Sequence, residues 1–161
     1  MNYTIQDVIE FIKENDVKFI RLAFCDIFGR IKNFSVMSDR IEEVYKNGAS
    51  FSPFGIAGFE KVKSDLLLFP DLNTLSVLPW RPQQGRVIKF LCEIRNYDNT
   101  PFLLDTRELL KKTLESAGAK GISCKVETES EFYLFKTDEN GIPTYETHDN
   151  GGYLDMAPLD K

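Results

Sequence analysis

The chain opens with apolar residues at helical spacing. Ile5, Val8, Ile9 and Ile12 fall on one stripe and Thr4 is placed to cap the first turn, which predicts a helix over residues 1–14. From Lys18 to Asp26 the pattern alternates instead: Ile20, Leu22 and Phe24 share one face of a strand, and Phe19, Arg21, Ala23 and Cys25 share the other. Asp26 to Arg30 reads as a turn with Gly29 free to take positive φ, and Ile31 to Val36 returns as the second arm of a hairpin. Helical spacing resumes at Ser38, with Ile41, Val44 and Tyr45 inward and Gly48 as the stop. Ser50 to Gly58, with Pro53, Gly55 and Gly58, predicts an ordered but irregular loop. Three further strands are expected at Asp65–Phe69, Leu75–Leu78 and Val87–Arg95, separated by Pro70, Pro79, Pro82 and Gly85.

Residues 15–98 thus predict a small α+β domain in which helix packs on sheet. The polar run Asn96 to Pro101 marks a boundary, and residues 99–161 open a second domain. There Asp105 and Glu108 have the spacing of a capping box, Leu109, Leu110, Thr113 and Leu114 form an inward face, and Gly118 ends the helix. Strands are expected at Ile122–Val126 and Glu129–Lys136, followed by a turn at Asp138 to Gly141. This second unit has too little apolar content to close its own core, so it reads as truncated.

Composition narrows the function. At 42% hydrophobic residues the chain can build a core. A net charge of −5 with acids and bases interspersed speaks against a nucleic-acid stripe or a membrane-binding polybasic patch. There is no signal-like N-terminus and no apolar run long enough for a membrane span. Cys25, Cys92 and Cys124 sit in apolar, strand-like runs without a CxxC pair, and are read as reduced core thiols of a cytoplasmic protein.

The run Glu127 to Phe135 carries the most chemistry. On a strand Glu127, Glu129 and Glu131 share a face, with Glu129 and Glu131 about 7 Å apart, while Phe132 and Leu134 point into a core. Such a row is either a solvated outer face or half of a site for a hard divalent cation, whose other ligands lie elsewhere. His148, the only histidine, lies in a polar loop and reads as a surface residue. Trp80 is either a partly buried anchor beside a turn or an exposed contact with another subunit. No P-loop, GxGxxG or nucleophile elbow is present.

Several stretches together resemble glutamine synthetase. Asp26 to Asn33 is similar to the family's early hairpin, Ser64 to Asp71 to its "SD-apolar-PD" strand, and Leu78-Pro79-Trp80 to its "PW" turn. Thr100-Pro101-Phe102 with Asp105-Thr106-Arg107 resembles its interdomain segment. Glu129 to Phe135 resembles its metal-binding strand, and Gly151 to Pro158 the "GGYFDLAP" that follows. The order is kept from about residue 17 to 160, closest to the bacterial type I form. The resemblance implies a β-grasp (ubiquitin-like) N-terminal domain and the start of the catalytic α/β domain. It implies ATP-dependent amidation of glutamate through γ-glutamyl phosphate, with two Mg2+ or Mn2+ ions and ring-forming neighbouring subunits as partners. On that pattern Glu129 and Glu131 are metal ligands, and the ATP-binding residues lie beyond Lys161, so residues 1–161 alone are expected to be inactive.

The resemblance breaks at one loop. Where the family commonly reads "F-D-G-S-S-I-x-G-F/W", this chain has Phe51-Ser52-Pro53-Phe54-Gly55-Ile56-Ala57-Gly58-Phe59. Ser52 replaces the aspartate that attracts ammonium, and a neutral hydroxyl cannot supply that attraction. Three readings follow: a glutamine synthetase using ammonia, a γ-glutamyl ligase using an organic amine, or a non-catalytic relative that assembles or binds ligands.

Overall fold

A computed structural model describes residues 2–80 and 84–156; Arg81, Pro82 and the Ala157-Pro158 pair of the last motif lie outside the described residues. Two compact units divide at Ser123 and Cys124.

The first unit begins with α1 (Ile5–Glu14). Thr4 and Asp7 form its capping box: the Thr4 hydroxyl accepts from the Asp7 N–H, and the Asp7 carboxylate accepts from the Thr4 N–H at 2.7 Å. Strands β1 (Val17–Cys25) and β2 (Ile31–Met37) form the expected antiparallel hairpin. A 3₁₀ turn at Ser38–Arg40 leads into α2 (Ile41–Asn47), which buries Ile41 and Val44 and leaves Tyr45 exposed. Gly48 ends α2 at φ 75°, against the ring of Phe69, where a Cβ would sit 2.8 Å from the ring edge.

A short strand that the pattern did not predict, β3 (Ala49–Phe51), then pairs with β4 (Leu66–Pro70). Three residues are too few for alternation to register; the partner strand defines them. After β5 (Ser76–Val77) comes β6 (Arg86–Arg95), the spine of the sheet. One edge of β6 pairs with β1 in parallel; the other takes β4 beside its C-terminal half and β5 beside its N-terminal half. The order is β2-β1-β6-β4-β3 with β5 added at β6, a β-grasp arrangement.

The core lies between this sheet and the two helices. Ile20, Leu22 and Phe24 of β1, Leu66 and Leu68 of β4, and Ile88, Phe90, Cys92 and Ile94 of β6 meet Val8, Ile41 and Val44. The expected face of β1 is the buried one, while Phe19 on the other face stays 44% exposed. Of the three cysteines only Cys92 is fully buried, and burial pushes its thiol up to about 12; Cys25 is half-buried and Cys124 is exposed, contrary to the core reading.

The helix α3 (Thr106–Gly118) belongs to this compact unit. Asp105 caps it, but Glu108 does not complete the box. The Asp105 N–H donates to the Phe102 carbonyl, and Glu108 pairs with Lys112 at 3.3 Å. The Asp105 carboxylate is buried and accepts from Arg107 N–H at 3.0 Å and from Ile94 N–H of β6 at 2.9 Å. Burial raises its pKa above the usual range, partly opposed by these N–H donors. Arg107 bonds Asp71 at 2.5 Å and Lys111 pairs with Glu93, so polar contacts tie α3 to the sheet. The expected inward face is not buried: Leu109, Leu110 and Leu114 are exposed, since none of the described residues packs over them.

In the second unit, residues 124–134 carry no regular secondary structure. The only pairing among its described residues is a hairpin of β7 (Phe135–Thr137) and β8 (Pro143–Thr147), closed by the Asp138–Gly141 turn. The predicted strand 122–126 does not form, and of the predicted strand Glu129–Lys136 only Phe135 and Lys136 lie in a strand, at the start of β7. A strand needs a neighbour for its backbone groups and a surface for its apolar face, and among the described residues this unit offers neither.

Two outcomes follow from the packing. Phe90→Ala should lower the unfolding free energy by about 3–5 kcal/mol in urea titration, and Phe19→Ala, on the opposite face, by about 1 kcal/mol or less. Burial pushes the Glu93 carboxyl up, but its bonds to Lys111 and Arg95 outweigh this and leave its pKa lowered. The stability it contributes is therefore present above the ordinary value of 4.5 and is lost as pH falls through the lower native value. The difference in Tm between the parent and Glu93→Gln should be clear at pH 7 and should vanish toward pH 2.

Candidate functional site

The loop between β3 and β4 is built from both of its ends. Phe51 packs on Phe24 with ring centroids 4.9 Å apart. Phe59 is fully buried and meets Phe102 edge-to-face at 5.1 Å. Pro53 is also buried. Between these anchors the chain turns tightly: the N–H groups of Ile56 and Phe59 donate to the carbonyls of Pro53 and Ile56 at 3.0 and 2.9 Å. Gly58 sits at φ 89°, and its N–H donates to the Glu60 carboxylate at 2.9 Å, which holds that carboxyl below its usual value.

This bracing leaves Ser52 and Phe54 on the surface. Ser52 Oγ accepts weakly from the Phe54 N–H at 3.4 Å, and Phe54 is 90% exposed. Its ring is one of several large apolar side chains that the described residues leave in solvent, Leu103 and Tyr145 among them. The loop can present a hydroxyl and a ring; among its residues Phe51–Phe59 there is no carboxylate.

Glu129 and Glu131 lie in the second unit, on the irregular stretch before β7. Both are exposed and form no ion pair among the described residues. Glu127 is exposed as well, and Phe132 and Leu134, expected in a core, are 75% and 60% exposed. No group of three or more His, Cys, Asp or Glu side chains with metal-site geometry occurs among the described residues. The two carboxylates have the oxygen chemistry suited to Mg2+ or Mn2+ but supply only part of a ligand set. His148 is exposed; its N–H donates to the Leu134 carbonyl at 2.8 Å, a backbone role. Trp80 is 73% exposed, so it is not a partly buried anchor.

A separate cleft of about 550 Å³ is lined by Tyr3, Lys46, Asp71, Glu93, Arg95 and Lys111 among others. Most of its charges are matched: Glu93 takes Lys111 and Arg95, and Asp71 takes Arg107, while Lys46 has no ion pair among the described residues. This ion-pair cluster was not legible in the residue pattern, because its members are scattered from Asp71 to Lys111. No helix among the described residues is long and apolar enough to cross a membrane.

Comparison with known proteins agrees with this architecture. Residues 16–97 match the glutamine synthetase β-grasp domain, and residues 103–161 match the glutamine synthetase catalytic domain. The chain is 44% identical over 159 residues to glutamine synthetases of Clostridium saccharobutylicum and Methanosarcina mazei, and 41% identical over 160 residues to that of Staphylococcus aureus. These matches cover 98% of this chain but 36% of each relative, so the chain spans about a third of their length. Among solved structures, one described as a GmaS/ADP complex superposes with a TM-score of 0.62 at 26% identity, covering 72% of this chain and 26% of that one. Plasmodium falciparum glutamine synthetase superposes at 0.66 and 21% identity, over 75% of this chain and 24% of that one, a likeness of fold. With its β-grasp sheet, its order of motifs and these matches, the chain belongs to the glutamine synthetase family.

Proposed function

We propose that these residues form the N-terminal portion of an ATP-dependent ligase that amidates glutamate. The observation that carries this reading is the unbroken similarity to glutamine synthetases across 98% of the chain, through both the sheet domain and the opening of the catalytic domain. In the reaction, a γ-carboxylate oxygen of glutamate attacks the γ-phosphorus of ATP and ADP leaves. The nitrogen of ammonia then attacks the acyl carbon, inorganic phosphate leaves, and the nitrogen sheds a proton to a base. The ADP named in the GmaS structure supports a nucleotide in this role.

Glu129 and Glu131 would hold the divalent ions, Mg2+ or Mn2+, together with ligands from the rest of the protein. When bound, such ions neutralise phosphate charge during phosphoryl transfer. The chain's own contribution would be two carboxylates that have no ion pair among the described residues, and a braced loop for the nucleophile. Neighbouring subunits of a ring would complete the site, with Trp80 and Phe54 as exposed residues available for contact.

The loop favours a second reading, in which an organic amine replaces ammonia. Ammonium needs a negative charge to hold it, and Ser52 has none. A substituted amine can instead bury its carbon substituent against an exposed ring such as Phe54. A screen of amines on the full-length protein with ATP, Mg2+ and glutamate, following phosphate release, separates the two. Release with ammonium alone supports glutamine formation; release only with an organic amine supports the second reading; silence throughout supports a non-catalytic relative.

Three changes sharpen the test. Ser52→Asp should lower the KM for ammonium relative to any organic amine, because it restores the attraction for a cation. Glu129→Gln or Glu131→Gln should each cut kcat/KM by at least about 100-fold, the upper end of what outer partners of metal ligands cost. Residues 1–161 alone should show no ATP-dependent γ-glutamyl transfer, and activity there would refute the need for further ligands.

A further inference from the structure

The β1–β2 turn meets the loop that carries Ser52 and Phe54 where Ile27 lies beside Gly58. Gly58 has φ 89°, a conformation that suits glycine, and a Cβ placed there would fall on the Cγ1 and Cδ1 atoms of Ile27. The Ile27 side chain therefore lies directly against the Gly58 backbone. That backbone is also held by the Gly58 N–H bond to the Glu60 carboxylate at 2.9 Å.

Ile27 is itself held from below. Asp26 is fully buried, and its Oδ1 accepts from the N–H groups of Phe28 and Arg30, both at 2.9 Å. The Asp26 N–H donates to the Arg30 carbonyl at 3.0 Å, and the Gly29 N–H to the Asp26 carbonyl at 3.0 Å. Asp26 Oδ2 is buried without a hydrogen bond, its nearest cation being Lys32 at 3.9 Å. A buried carboxylate spent on organising a four-residue turn costs desolvation, so the turn's shape has to matter for the molecule. Ile27, the first residue after that carboxylate, is 40% exposed and adds little to the core.

We infer that Ile27 is a positioning residue: through its contact with Gly58 it sets the height of the loop that carries Ser52 and Phe54, and so sets which amine the protein accepts. The inference rests on the proposed reading that this loop faces the nucleophile. It assigns the hairpin turn a part in amine selection without contact to the substrate. Removing the Ile27 side chain frees Gly58 to settle inward and moves Phe54, four residues earlier on a tightly turned loop, with it.

The test uses the full-length protein and two readouts. Hydrogen exchange at the Ile56 and Phe59 amides, which close the loop's turns, should quicken by about tenfold in Ile27→Ala and return to the parent rate in Ile27→Leu. In the kinetic arm, with ammonium chloride and ethylamine as probes, Ile27→Ala should raise the KM for the preferred amine by about tenfold, well within the 10²-fold that a 1 Å misplacement can cost. The KM values for glutamate and ATP should stay within about twofold, because uniform loss across all substrates would signal general damage. Unchanged exchange overturns the brace. Quickened exchange with unchanged amine KM, or with parallel rises for all three substrates, overturns the role in amine selection. Quickened exchange in a protein that releases no phosphate with any amine overturns the proposed reaction itself.

Discussion

β1 and β6 run parallel at the centre of the sheet, and parallel neighbours cannot be joined by a hairpin. Everything from residue 26 to residue 85 has to carry the chain back to the starting end of the same sheet. Asp16 fixes that closure. Its carbonyl accepts from the Arg86 N–H at 2.9 Å and its carboxylate from the Gly85 N–H at 2.8 Å, so β6 begins level with β1. Its carboxyl is held below the usual range by Lys18 and by that Gly85 donor. From this alignment follow the burial of Ile20, Leu22 and Phe24 against Ile88 and Phe90, and the free far edge of β6 that accepts β4 and β5.

The crossover also carries the domain's irregular loop. Its helix α2 lays Ile41 and Val44 into the core, and its irregular stretch runs between β3 and β4, held by half-buried Phe51 and by buried Pro53 and Phe59. Phe51 and Phe59 anchor the loop through their rings, and Ser52 and Phe54 remain exposed. A loop pinned at two aromatic points can hold a geometry without regular hydrogen bonding along its length. The hairpin turn reaches the same loop where Ile27 lies beside Gly58.

The carboxylate pair has the opposite character. Glu129 and Glu131 stand on a stretch with no partner strand, exposed and unpaired among the described residues. Two like charges close together are a cost unless a cation or further structure offsets them. The exposed apolar residues around them, Val126, Phe132, Tyr133 and Leu134, make the same point in another currency: this segment is composed for burial that the second unit does not provide.

Local signals were legible in the residues. The Thr4 cap, the Gly29 and Gly48 stops, the alternation of β1 and the turn at Asp138 to Gly141 all depend on neighbours within a few positions, and they appear in the structure as read. The departure at Ser52 is a feature of the residues alone and needs no coordinates to be seen. What misled were patterns that assume a partner. Residues 122–126 and 129–134 have strand composition, and Leu109, Leu110 and Leu114 have an inward spacing, yet nothing among the described residues covers them. Glu108 had the spacing of a cap and was drawn to Lys112 instead. The parallel pairing of β1 with β6, the existence of β3, the second role of Asp105 as acceptor for Ile94, and the seat of Ile27 on Gly58 were decided by tertiary structure alone. Each joins residues far apart in the chain, and composition and periodicity carry the preferences of a segment but not the identity of the surface it will meet.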